Sequence, residues 1–198
     1  MAVSAADVKG LREKTGAGMM DCKRALEEAG GDMEKAVTLL RERGVMAASK
    51  KSSRQAREGM IHTYTHPGSR IATMVEINCE TDFVARNEAF QTLARDIAMQ
   101  VAATKPLAVE RAQVPQDTVD RELEIYRNQA RNEGKPEHII ERIVQGRLEK
   151  FYQENCLLEQ PFIRDTDKTV KDLITEAVAT LGENIVVRRF VRYELGGD

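Results

Sequence analysis

The chain has 198 residues, 31% of them charged, with a formal net charge of -2 and three cysteines. That length holds one compact domain, or a modest domain with a small satellite. The near-balanced charge excludes the overall basic field that draws a protein to nucleic acid, and Cys22, Cys79 and Cys156, odd in number and free of CxxC spacing, argue against a disulfide framework or a zinc site.

A reducing cytosol fits these cysteines. The start, "MAVSAADVKGLREK", reaches charged residues before an apolar signal segment can form, and no apolar run approaches a membrane span. The expectation is a soluble, unprocessed, cytoplasmic protein with no membrane contact.

The first 44 residues read as three short helices. Ser4 can cap the first, with Asp7 three residues on and Val8 and Leu11 on its apolar side, before "TGAG" breaks it. Asp21 to Ala29 forms the second, stopped by Gly30 and Gly31. Asp32 caps the third, where Met33, Ala36, Val37 and Leu40 recur at helical spacing until Gly44 closes it. "SKKSSRQAREG", Ser49 to Gly59, carries several cations but neither apolar periodicity nor aromatics on which bases could stack, so it reads as a solvated linker or a polar extension of a helix before it reads as an RNA contact.

A period-two stretch follows. "MIHTYTH", a "PGS" turn and "RIATMVEINCE" make a β-hairpin with Ile71, Thr73, Val75, Ile77 and Cys79 on one face. From Asn87, a plausible cap, Phe90, Leu93, Ala94, Ile97, Ala98 and Val101 keep a 3.6 period up to Pro106. Thr118 to Asn155 holds two further helical stripes around "NEGKPE": Val119, Leu123, Tyr126 and Ala130, then Ile140, Val144, Leu148 and Phe151. So short a connection forces an antiparallel helical hairpin about 25 Å long at 1.5 Å per residue. Thr169 to Leu181 is helical, and Ile185, Val187, Arg189, Val191 and Tyr193 alternate as a strand with one wetter face.

No catalytic constellation emerges. GxSxG, HExxH and GxxxxGK[ST] are absent, and the GxG of "TGAG" joins two helices instead of following a strand. His62 and His66 flank the hairpin turn at a spacing that could reach one metal, but no cysteine or carboxylate cluster completes a set, and His138 is remote. The expectation is a binding protein, not an enzyme, with no cofactor, no metal and no nucleotide bound directly.

"INCETDFVAR", Ile77 to Arg86, sets an aromatic beside acidic residues where a strand is ending. Phe83 keeps the strand's odd parity, so one reading has the strand run on and bury the ring under the next helix. The other notes that Glu80, Thr81 and Asp82 make the corner polar, so the ring projects as a hot spot for a partner.

Two stretches, "LREKTGAGMMDCKRAL" and "EINCETDFVAR", resemble the signatures of the elongation factor Ts family, and "GGDMEKAVTLLRERG", "GKPEHIIERIVQGRLEKF", "QPFI" and "KTVKDLI" resemble that family in the same order. The resemblance implies an α+β fold: a three-helix, ubiquitin-associated-like domain over 1–48, a linker over 49–59, and a core over 60–198 with a small antiparallel β-sheet, packed helices and the projecting hairpin at 118–155.

It also implies a guanine nucleotide exchange factor for elongation factor Tu. Thr81, Asp82, Phe83 and Val84 would enter the Tu GTPase domain and disturb its Mg²⁺ site. Arg12, Met19, Met20 and Lys23 would supply a second contact from the N-terminal helices, although packing for the methionines and solvation for the charges is an equal reading. The alternatives are a ubiquitin-associated-like peptide adapter and an RNA-binding module using Lys50 to Arg57. Longer family members carry two related sheet subdomains in one chain, whereas this chain has strand material for one. A homodimer is therefore expected, through helix faces or through the Ile185–Tyr193 edge with Val187 and Val191 at the interface.

Overall fold

Ser4 opens the first helix as its sequence suggests. Its hydroxyl accepts the Asp7 N–H at 3.1 Å while the Asp7 carboxylate accepts the Ser4 N–H at 3.2 Å, a reciprocal cap for donors that a helix start leaves open. In the computed structural model, which describes residues 3–197, α1 (Ala5–Thr15) ends on Gly16 in the left-handed region. Next come α2 (Met19–Glu28) and α3 (Met33–Lys51). Asp32 caps α3 by accepting the Glu34 and Lys35 N–H groups, and these bonds, the Lys35 N–H foremost, hold its carboxyl below the usual range. Val8, Leu11, Cys22, Ala25, Leu26 and Ala36 form the buried centre of the three helices.

Two boundaries differ from the sequence expectation. The second helix starts at Met19 with Gly18 as its cap, two residues before Asp21. The third does not stop at Gly44 but runs on to Lys51. Gly44 is buried, and a Cβ there would stand 3.5 Å from the Ala179 side chain. A small residue at a helix crossing therefore explains this glycine, and packing outweighs its propensity cost of roughly 1 kcal/mol.

The chain forms two compact units. The first gathers the chain up to residue 60 with 77–94 and 172–186; the second gathers 61–76, 95–171 and the chain from 187 on. In the first, the three helices meet the last helix, α8 (Val170–Leu181). Arg41 Nη2 lies 3.2 Å from the Asp172 carboxylate, and the Lys51 ammonium donates to the Val178 carbonyl at 3.4 Å.

One three-stranded antiparallel sheet has the order β1-β2-β5, with β1 at Glu58–Thr65, β2 at Ile71–Cys79 and β5 at Val186–Glu194. The Leu195 N–H donates to the Arg70 carbonyl at 2.8 Å where β5 ends beside the start of β2. Thr73, Val75, Ile77 and Cys79 are buried, as the alternation in β2 predicts. The phase of β5 is not what its alternation suggests. Val187 is buried, but Arg189, Val191 and Tyr193 are exposed while Phe190 and Arg192 are half-buried, so the inward parity changes within the strand. Val187 is therefore an interior residue and cannot serve as an interface probe.

In the second unit α5 (Glu88–Thr104) turns Ile97, Ala98 and Val101 inward. Thr73 donates its hydroxyl to the Ala98 carbonyl at 2.9 Å, and Arg192 Nε donates to the Ala102 carbonyl at 3.1 Å. The segment before α8 contains a two-stranded antiparallel ribbon, β3 (Pro161–Phe162) and β4 (Asp165–Thr169). The fully buried Gln100 anchors it: its amide donates to the Pro161 carbonyl at 3.1 Å and accepts the Ile163 N–H at 2.9 Å. A two-residue β3 and an all-polar β4 carry no apolar alternation to be read from sequence.

The expected hairpin is α6 (Gln116–Asn132) and α7 (Glu137–Asn155). Val119, Ala130, Ile140, Val144, Leu148 and Phe151 are its buried positions, and Gly134 takes the left-handed turn between the helices. Arg127–Glu141 at 2.8 Å, Arg131–Glu137 at 3.0 Å and Arg147–Glu133 at 2.7 Å cross the gap. Being exposed, these pairs fix the register of the helices more than they stabilise it.

Candidate functional site

β2 stops at Cys79, and the chain does not run on as strand. Thr81 is extended at φ -130°, and Asp82–Ala85 form a single helical turn, α4, closed by the Arg86 N–H donating to the Asp82 carbonyl at 3.1 Å. Asn87 then caps α5, its side-chain oxygen accepting the Ala89 N–H at 2.9 Å. The strand-continuation reading of Phe83 thus fails. The ring stands on α4 with 82% of its surface exposed.

The corner is held from outside its own sequence. Glu183, in the loop after α8, accepts the Glu80 N–H at 3.0 Å and the Thr81 N–H at 2.9 Å on one carboxylate oxygen, and the Thr81 hydroxyl at 2.6 Å on the other. Glu80 answers in the opposite direction, accepting the Asn184 N–H at 2.7 Å. The buried Asn184 side chain donates to the Arg54 carbonyl at 2.8 Å and to the Ser52 carbonyl at 3.4 Å, just past the end of α3. Arg54 Nη1 lies 3.6 Å from the Glu80 carboxylate.

Beneath the corner, Gly59 has φ +141°, and a Cβ there would sit 2.1 Å from the Ile77 carbonyl oxygen, so β1 approaches β2 in a way only glycine permits. The Cys79 thiol donates to the Thr81 carbonyl at 3.1 Å. Burial, then the Glu183 charge, pushes that thiol up to about 11, far from thiolate chemistry.

The structure places Thr81, Asp82, Phe83 and Val84 together on this corner. Asp82 is half-exposed and pairs with Arg86 at 2.8 Å, and Val84 is half-buried. Arg12, on α1, and Met19, Met20 and Lys23, on the first turns of α2, are all exposed, with Met20 at 63%. Packing inside the helical module therefore does not account for the two methionines. Lys23 reaches Glu27 at 3.8 Å. Among the described residues no hydrogen bond or ion pair joins these four to the corner.

Sequence reasoning missed Glu183, Asn184 and Gly59. No local pattern in "GEN" tells that its carboxylate answers donors a hundred residues earlier. His62 and His66 gather no partners for a metal: no group of three or more His, Cys, Asp or Glu among the described residues is placed to hold one, and His66 Nδ1 lies 3.0 Å from the Tyr64 hydroxyl. No helix of the described residues is long and apolar enough to cross a membrane.

A family model described as "Elongation factor TS" matches residues 21–197, which include the corner, its Glu183 brace and the hairpin. The chain belongs to the elongation factor Ts family. It is 61% identical over 194 residues to the elongation factor Ts of Moorella thermoacetica, covering 98% of this chain and 96% of that one. It is 62% identical over 194 residues to that of Desulforamulus reducens, covering 98% and 89%, and 63% identical over 189 residues to that of Carboxydothermus hydrogenoformans, covering 96% and 87%. Membership of the elongation factor Ts family places the chain among the elongation factors of translation.

The exposure of Phe83 separates a packing role from a docking one. Phe83→Ala is expected to change unfolding free energy by no more than about 0.5 kcal/mol, against roughly 3–5 kcal/mol for a packed phenylalanine. Urea denaturation of parent and mutant measures the difference, and a loss in the upper range would mean the ring is part of the core.

Proposed function

We propose that this chain is a guanine nucleotide exchange factor for elongation factor Tu, acting in the cytosol through binding and not through covalent chemistry. The observation that carries the reading is Phe83, an apolar ring with 82% of its surface exposed on a corner whose entry is held by the Glu80 and Thr81 N–H groups bonding to Glu183. An unpaired aromatic on a stiff support is pre-organised to enter a partner, because little conformational freedom remains to be lost on docking.

Thr81, Asp82, Phe83 and Val84 enter the Tu GTPase domain, where the ring wedges between helices and the Mg²⁺ site is disturbed. Mg²⁺ bridges nucleotide phosphates to the protein, so displacing it weakens the hold on GDP. Arg12, Met19, Met20 and Lys23 dock as a second surface on the same partner. Two of the cations in the Lys50–Arg57 stretch are already engaged, Lys51 by the Val178 carbonyl and Arg54 by Glu80, which disfavours the RNA-binding alternative.

Release of labelled GDP from elongation factor Tu, with and without this chain, tests the reading. Acceleration is expected, and Phe83→Ala should reduce it about 10–100-fold, the factor that corresponds to roughly 1.5–3 kcal/mol for burying one aromatic ring. A release rate unchanged by the parent protein would overturn it.

Two copies of the chain are proposed to pair. β5 is an edge in the order β1-β2-β5, and its exposed Val191 and Tyr193 are followed by exposed Leu195, with Tyr193 at 71%. An apolar edge of this kind favours a second chain. Light scattering at micromolar concentration should give twice the 22.2 kDa chain mass, and Tyr193→Asp should return it to one. A parent mass that stays at one chain as the sample is concentrated would contradict the pairing.

A further inference from the structure

We infer that Glu183 is a positioning residue for the Phe83 corner. The inference rests on the exchange reading above and adds a residue from the far end of the chain.

The turn that ends β2 leaves the Glu80 and Thr81 N–H groups without a strand partner. Unanswered donors at a bend let the chain sample alternatives, and the ring two residues on would swing with it. One carboxylate oxygen of Glu183 takes both donors, at 3.0 and 2.9 Å, and the other takes the Thr81 hydroxyl at 2.6 Å. Bonds to an ionised acceptor are about twice as strong as neutral ones.

The return bond from the Asn184 N–H to Glu80 at 2.7 Å makes the bracket reciprocal, so neither segment can shift without breaking bonds on the other. Asn184 carries the bracket on to the Ser52 and Arg54 carbonyls. Glu183 thus holds the backbone from which α4 starts through its bonds to Glu80 and Thr81. The direction in which the ring enters a partner is set from the loop after α8.

A double-mutant cycle with Phe83→Ala, read as GDP release from elongation factor Tu, tests this. Glu183→Ala leaves two N–H groups unanswered and is expected to slow exchange roughly tenfold in the parent background. Glu183→Gln, whose amide oxygen can still accept both donors, should recover much of that loss. In the Phe83→Ala background the same Glu183 changes should cost clearly less than in the parent, because the ring that the bracket mainly aims is gone.

Amide hydrogen exchange on the free protein gives a second readout, independent of elongation factor Tu. The Glu80 and Thr81 amides should exchange at least tenfold faster in Glu183→Ala, and less so in Glu183→Gln, which also serves if the alanine variant fails to fold. Equal losses in both backgrounds, or unchanged protection of those two amides, would overturn the positioning role. An inactive parent with faster amide exchange in the mutants would instead sink the exchange reading and leave the bracket standing.

Discussion

Three donors at the end of β2 converge on one carboxylate, and the candidate site depends on that convergence. Glu183 answers the Glu80 and Thr81 N–H groups and the Thr81 hydroxyl, which lets the strand stop at Cys79 and a single helical turn begin at Asp82. An isolated turn of helix is unstable in water, because it fixes several dihedrals for very few hydrogen bonds. Here its entry is fixed by the bracket and its exit by the Asn87 cap of α5. The exposed ring is thereby mounted on a support that ordinary helix energetics would not provide.

The rest of the first unit serves the same arrangement. α8 delivers the Glu183 loop, and α8 is itself packed against α3 through the Gly44 crossing and the Arg41–Asp172 pair. Asn184 reaches the chain just beyond α3, and Gly59 lets β1 close over Ile77 below the corner. Exchange by such a device requires no acid, base or nucleophile. It requires only that the ring and its neighbours bind one state of a partner better than another, since a ligand shifts an equilibrium by no more than its differential affinity.

Much of this was legible in the sequence where a single element carries its own signal. Ser4 and Asp32 announced their caps, the stripes of α6 and α7 announced a hairpin, and Thr73, Val75, Ile77 and Cys79 announced the inner face of β2. Features set by distant partners were not legible. Gly44 looks like a stop until α8 lies across it. β3 is too short to show a period and β4, all polar, shows no apolar one, while the ribbon's start and turn are held by the buried Gln100 amide. The alternation in β5 is real in the sequence, yet its inward parity changes after Val187. Phe83 kept the parity of β2 and could be read as core, and only the Glu183 bracket explains why the strand does not reach it. The family resemblance singled out Thr81 to Val84 by their motif, while the residue that braces them lies outside it.

Exchange through differential affinity makes one thermodynamic demand that no other role of an exposed aromatic shares. Calorimetric titration of the chain into elongation factor Tu, once nucleotide-free and once loaded with GDP at fixed Mg²⁺, measures it directly. The nucleotide-free form should bind more tightly, and the ratio of the two Kd values should equal the factor by which the chain weakens GDP binding, as linkage requires. Equal affinity for both forms, however tight, would contradict the exchange mechanism.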